Sequence, residues 1–438
     1  MTGILKKTTP ELLLPAGDPV KLKYAVAYGA DAVYLGLPMA SLRTPSRGAQ
    51  FTPANLQEHV HYAQSRGVKA YVTINIFPSN RDLARIQPHL ELLEAIRPDA
   101  IIFSDPGVYR MAKRHAPSVP LHLSTQANTL NLEACGFWQD LGVERVILAR
   151  EVPLREIAEI HEALPTLELE CFVHGSLCVA YSGRCVISDY LTDNTKNSNK
   201  GMCGNSCRWE FEEANELKSI SMREVSRPHE EYTFEEDQHG SYMLNSKDLC
   251  LVHQLHKLQE AGVVSFKVEG RTKSIYYVAT AGRIYREAID FIQNHPEGPS
   301  EVQATRWVRE LSMAGNRGFT EGFFNGRPDN KSINYETSKT QQSSIFLATV
   351  SEEASWGEGQ ITVQARNPFQ VGDEVEWVTP NGLETLTLTS ENLKDHLGLP
   401  VTAVQTNHLA QLPLPKDVTK AEMPWLILRR KEKHPVVC

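Results

Sequence analysis

Short apolar runs alternate with amphipathic stretches through the first half of the chain. Residues 11–14, 32–35, 69–74, 99–103, 120–123, 145–148 and 167–172 read as strands. The stretches between them carry helical periodicity: 18–28, 52–66, 81–96, 106–115, 132–141 and 153–164. Asp18 is placed to cap the first helix, and Thr52-Pro53 puts proline at the first position of the second. The pattern then breaks. From His174 to about Gln238 the chain is polar, with little periodic signal. It resumes with a helix near 248–260, an eighth strand at 263–268 and a helix from Ser274 to about Gln293. Eight such units predict an α/β fold, a (β/α)8 TIM-like barrel with an insertion of about residues 174–240 after strand seven.

Past Pro328 the grammar changes. Residues 329–342 are polar and linker-like. The runs 344–350, 360–365, 374–378 and 384–389 read as short strands punctuated by Gly357, Gly372 and Asn381-Gly382. The division expected is a barrel over 1–328, a linker over 329–342 and a small all-β barrel domain over 343–438. No apolar stretch approaches the ~20 residues that span a bilayer, and the first ten residues hold no long apolar run. A cytoplasmic protein that does not enter the membrane is therefore expected. The net charge of -8 argues against a general nucleic-acid binder but leaves room for a local basic patch.

Four of the eight cysteines crowd into the insertion: Cys178, Cys185, Cys203 and Cys207, separated by seven, eighteen and four residues. Four thiols suit a tetrahedral zinc or an iron–sulfur cluster. The paired Cys-x-x-Cys spacing of a zinc ribbon is missing, which favours iron–sulfur. Cys171 falls on a strand and reads as core, while Cys135, Cys250 and Cys438 are isolated. In a (β/α)8 barrel the loops after the strands carry the chemistry. Those loops hold Gln126 and Asn128, Arg150, His174, and Glu269-Gly270-Arg271. Arginines there suit a carboxylate or phosphate ligand, because the guanidinium fork binds such groups through two hydrogen bonds. A structural ion pair is the competing reading, and helix capping is the plainer one for Asp18, Asn75 and Asp105. Tyr181, Arg208 and Trp209 could stack on a nucleobase or simply pack around the cluster.

The words around the cysteines are specific. His174-Gly175-Ser176-Leu177-Cys178, Tyr181-Ser182-Gly183-Arg184-Cys185 and Ser188 resemble the signature of the peptidase U32 family. Other segments, among them Ser41-Leu42-Arg43, Gln126-Ala127-Asn128 and Lys267-Val268-Glu269-Gly270-Arg271, are similar to the branch of that family that hydroxylates tRNA. The resemblance implies conversion of a wobble uridine in the anticodon loop to 5-hydroxyuridine, with prephenate as co-substrate, a 4Fe–4S cluster and an electron-transfer partner. It places the cluster ligands at Cys178, Cys185, Cys203 and Cys207. Arg43, Arg150, Arg184 and Arg271 become candidates for the prephenate carboxylates, with Gln126, Asn128, His174 and Glu269 beside them. No residue is assigned to the oxygen transfer. Alternatives are a collagenase-like peptidase, hydroxylation of ribosomal RNA or ubiquinone as in relatives, and a non-catalytic RNA-binding scaffold. The sequence shows no Ser-His-Asp set or zinc-protease motif in support of the first.

Overall fold

The computed structural model describes residues 9–38, 40–42, 50–178, 180–187, 198–200, 203, 206–208, 219–223, 231–235, 245–328, 332–334, 339–351 and 359–437. Arg43, Trp209 and most of the 210–239 stretch lie outside the described residues.

Seven parallel strands follow one another, each with its helix. They are β1 (Glu11–Pro15), β2 (Ala32–Gly36), β3 (Lys69–Ile74), β4 (Ala100–Phe103), β5 (Leu121–Leu123), β6 (Arg145–Ile147) and β7 (Glu168–Ser176). Strand β8 (Val263–Val268) pairs in parallel with both β7 and β1, so the sheet closes into an eight-stranded barrel. Outward side chains such as Leu12, Leu14, Val33 and Leu35 are fully buried beneath the helices. The helix caps are local. Asp18 accepts from Lys21 N at 2.9 Å, and Asp105 accepts from Val108 N at 3.0 Å. Asn75 caps no helix; its side-chain oxygen accepts from Leu42 N at 3.0 Å and ties two mouth loops together.

Two expected elements differ. The second helix is Leu56–Gln64, starting later than Pro53. Thr52 N donates to Asn55 Oδ1 at 2.7 Å and Asn55 N to Thr52 Oγ1 at 3.3 Å, a side-chain turn that competes with helical bonding. The stretch expected as one helix near 248–260 is a strand followed by a shorter helix, Leu255–Glu260. Asp248–Cys250 runs antiparallel to the end of β7, Cys250 opposite His174, because β7 overruns its barrel partner and leaves an edge to be paired. Within the insertion, where no element was expected, Ser219–Arg223 and Glu231–Glu235 pair antiparallel, and each alternates polar and apolar residues, a strand signal that the reading of this polar stretch passed over.

The C-terminal unit is a seven-stranded antiparallel sheet around a second apolar core that includes Leu347, Val363, Trp377 and Leu428. It curls as a half-barrel: among the described residues no ladder joins its two edge strands, Leu383–Thr387 and Lys394–Asp395. The strands Leu409–Pro413 and Ile427–Val437 were not legible as strands beforehand. The long Ile427–Val437 strand delivers Arg429 to the joint with the barrel. Its guanidinium is fully buried, 2.8 Å from Glu376 Oε2 and 3.1 Å from Glu310 Oε2. Arg283 reaches the same Glu310 oxygen at 2.7 Å, and the Tyr28 hydroxyl lies 2.9 Å from the carbonyls of Val378 and Trp425. Removing one member of a buried charged set leaves the others unpaired. Arg429→Ala is therefore expected to cost about 3–5 kcal/mol. Chemical denaturation would measure it, and a loss under about 1 kcal/mol would contradict the structural weight given to this joint.

Candidate active site at the barrel mouth

The inward side chains of the barrel are unusual from the bottom upward. Barrels of this kind are generally filled by branched aliphatics. Here Glu11, Tyr71, Arg145, Glu170, Ser265 and Lys267 occupy the interior. Arg145 Nη1 lies 2.6 Å from Glu11 Oε1 and 3.1 Å from Glu170 Oε2, and Lys267 Nζ lies 2.8 Å from Glu170 Oε1. Tyr71 donates to Glu11 at 2.8 Å. Burial disfavours the charged forms of Glu11 and Arg145, but the Arg145 guanidinium still holds the Glu11 carboxyl below its usual pKa, and the two carboxylates raise Arg145 above its own. For Lys267 burial wins: its ammonium is pulled below its usual pKa although Glu170 opposes the shift.

Above this chain lies a pocket of about 460 Å3, its open mouth included, lined by every barrel strand or following loop except the first. Lys267 forms its floor, between the rings of Tyr34 at 4.5 Å and Phe172 at 5.5 Å. Arg150 rests over Phe172 at 4.2 Å, with Glu269 4.0 Å from its guanidinium. Arg271 donates to Thr73 Oγ1 at 3.1 Å and contacts Ser41 Oγ and the Leu42 carbonyl. Gln126 lines the same pocket, and its buried side-chain oxygen has no hydrogen-bond donor among the described residues. Three cations against one lining carboxylate suit a small carboxylated ligand, and the Gln126 oxygen suits a hydroxyl on it.

The cysteine loop is bolted to this mouth. The Ser182 hydroxyl contacts the Glu151 carboxylate, the Ser182 N–H donates to Glu151 at 2.6 Å, and Arg150 N donates to Ser182 Oγ at 3.0 Å. Ser182 pays for this with a left-handed φ of 42°, followed by Gly183 at 85°, where a side chain would run into Gln126. Asn128 Nδ2 donates to the Tyr181 carbonyl at 2.9 Å. Arg184 Nε donates to the Gln126 carbonyl at 3.0 Å and its guanidinium lies over Phe77 at 4.8 Å. Arg184 and Asn128 thus fasten the loop and do not line the pocket. Cys178, Cys185 and Cys207 are half-buried and Cys203 is exposed, all outside any disulfide. As a donor set, four thiols on one mouth loop fit an iron–sulfur cluster in kind. In geometry they are not assembled: among the described residues no three His, Cys, Asp or Glu side chains stand together as a metal site.

His174 is a correction. The parity of Glu170 and Phe172 would point it into the pocket, but β7 bulges there: Lys267 pairs with Phe172 and Val268 with His174. The extra residue turns His174 outward, against Tyr277, Tyr285 and Phe319. Sequence reasoning also missed Lys267 and Glu170 as site residues. Their signal was present: charges two residues apart from other polar positions inside otherwise apolar strands, Glu168-Leu169-Glu170 and Ser265-Phe266-Lys267.

Two family models match, residues 17–334 to "Peptidase family U32" and residues 342–424 to the "Peptidase family U32 C-terminal domain". The chain belongs to peptidase family U32. Within U32 it is 38% identical over 457 residues to the tRNA hydroxylation protein P of Escherichia coli strain K12, covering 96% of each chain. It is 38% identical over 393 residues to the tRNA hydroxylation protein P1 of Bacillus subtilis strain 168, covering 89% of this chain and 88% of that one. A Porphyromonas gingivalis protein named collagenase is 30% identical over 377 residues, covering 83% and 85%. No helix among the described residues of this U32 chain is long and apolar enough to cross a membrane.

The outward His174 has a measurable consequence. Burial lowers its pKa to about 4 from an ordinary value near 6.5. The unfolded chain binds the extra proton first, so this group's contribution is complete above about pH 6.5 and is lost as the pH falls toward 4, at up to about 1.4 kcal/mol per unit. His174→Phe should flatten that part of the stability–pH curve between 6.5 and 4. An unchanged slope in urea titrations of the two proteins would refute the assignment.

Proposed function

We propose that this chain hydroxylates the wobble uridine of tRNA to 5-hydroxyuridine, with prephenate held in the barrel pocket. What carries the reading is the cationic pocket of Arg150, Lys267 and Arg271 at the mouth, in a chain similar along nearly its whole length to tRNA hydroxylation proteins. Prephenate is a dianion with a hydroxyl. Two carboxylates buried together need compensating charge; Arg150, Lys267 and Arg271 can donate to them, with Glu170 already sharing Lys267 and Glu269 beside Arg150, and the Gln126 oxygen can accept from the hydroxyl. The uridine must leave the anticodon stack to reach the mouth. Tyr181, with 56% of its surface exposed on the cysteine loop, is the aromatic side chain that would stack on it. Cys178, Cys185, Cys203 and Cys207 would hold a 4Fe–4S cluster over the mouth, and such a cluster supplies one-electron chemistry through an electron-transfer partner. Glu151 and Ser182 keep that loop against Arg150.

A peptidase reading has less support. The described residues lining the pocket include no histidine, cysteine or aspartate, and His174 faces away; of the lining hydroxyls, Thr125 donates to the Leu148 carbonyl at 3.0 Å and Ser124 accepts from Gln126 N at 3.3 Å, so neither is shown paired with a base.

Nucleoside mass spectrometry of tRNA from a strain lacking this chain, with no redundant pathway, tests the reading. Loss of 5-hydroxyuridine is expected; undiminished 5-hydroxyuridine overturns it. Anaerobically purified protein should be brown, with about four irons per chain, and substitution of Cys178 or Cys207 by serine should remove most of the iron. A colourless wild-type protein that cannot be reconstituted would sink the cluster assignment.

A further inference from the structure

The pocket floor is joined to solvent at the far end of the barrel. Lys267 Nζ lies 2.8 Å from Glu170 Oε1. Ser265 Oγ lies 3.1 Å from Glu170 Oε2 and 3.3 Å from Glu11 Oε1. Glu11 Oε2 lies 3.0 Å from Lys69 Nζ, whose side chain is 55% exposed at the N-terminal ends of the strands. Hydrogen-bonding groups therefore run unbroken along the barrel axis. Glu170 and Ser265 are fully buried. Ionic groups in such a place carry a large desolvation cost, which a packed aliphatic core would avoid.

We propose that Lys267 is the proton donor at the pocket floor, and that Glu11, Ser265 and Glu170 relay protons to it from the opposite face of the barrel. The proposal rests on the reading that tRNA covers the mouth during the reaction, which shuts the pocket off from water on that side. In the step, an Nζ–H bond of the Lys267 ammonium breaks and the proton bonds to the bound anion or the uridine. Glu11 and Glu170 are carboxylates at rest: Glu11 takes a proton from a solvent acid beside Lys69 and passes it to Ser265 Oγ as the Ser265 hydroxyl hands its own proton to Glu170, and the Glu170 carboxylic acid so formed reprotonates the neutral Lys267 amine and returns to carboxylate. One proton enters for each one delivered, and nothing is oxidised or reduced. Arg145 also bridges Glu11 and Glu170, but a guanidinium does not release its proton in a protein, so it fixes the carboxylates without passing anything. Ser265 is the proton-passing bridge.

The test is Ser265→Ala, which removes one oxygen and leaves every charge in place. Purified holoprotein, unmodified tRNA, prephenate and a redox mediator standing in for the electron-transfer partner would be assayed in H2O and D2O, with prephenate affinity measured by equilibrium dialysis. The relay predicts affinity within about twofold of wild type, turnover lowered roughly tenfold or more, and a larger solvent isotope effect. Lys267→Met should lose on the order of 100-fold or more in turnover. Two results overturn the relay: Ser265→Ala with wild-type turnover and isotope effect, or Ser265→Ala whose turnover falls only in proportion to lost affinity. A wild-type holoprotein that binds prephenate and tRNA yet hydroxylates nothing refutes the functional reading instead.

Discussion

The structure depends on one buried ionic chain, Glu11–Arg145–Glu170–Lys267, strung along the axis of the barrel. Each member would be costly alone, and each is tolerated because its neighbour has opposite charge within hydrogen-bond distance. The chain starts at the first residue of β1 and β6 and ends at the fifth of β8, so it turns the ordinary division of a barrel, stability below and chemistry above, into one connected system. A change at Glu170 would disturb both the closure of the core and the charge on the pocket floor.

Above it, the mouth is assembled by backbone geometry as much as by side chains. The bulge in β7 removes His174 from the pocket and lets the strand continue to Ser176, where Asp248–Cys250 pairs with it. Ser182 and Gly183 turn back sharply enough for Glu151 to clamp the cysteine loop beside Arg150. Gly17 permits the Arg271 carbonyl to approach so closely that a side chain there would overlap it. These contacts place a thiol-bearing loop next to a cationic pocket, the juxtaposition that tRNA hydroxylation with a bound dianion would use.

Much of this was legible in the sequence, and for physical reasons. Parallel strands buried on both faces read as apolar runs, and helices between them announce themselves by Asp18, Asp105 and other caps. The mouth arginines followed from their position after strands. His174 did not, because a bulge shifts parity without leaving a mark in the alternation. Lys267 and Glu170 were hidden for a different reason: charges inside a strand look like exposed positions until the closed barrel shows that both faces are covered. The last two long strands of the C-terminal sheet, Leu409–Pro413 and Ile427–Val437, were hidden too. The second carries three consecutive basic residues, 429–431, a composition that masks a strand, yet the first of them is fully buried at the domain joint.

The cationic pocket is the proposed site of tRNA hydroxylation. The most direct measurement is nucleoside mass spectrometry on a deletion strain carrying Arg150→Met, beside iron analysis of the purified variant. Wild-type iron is expected, with 5-hydroxyuridine reduced by about ten- to a hundredfold, the worth of a charged hydrogen-bonding contact. Wild-type levels of 5-hydroxyuridine in that strain would contradict it.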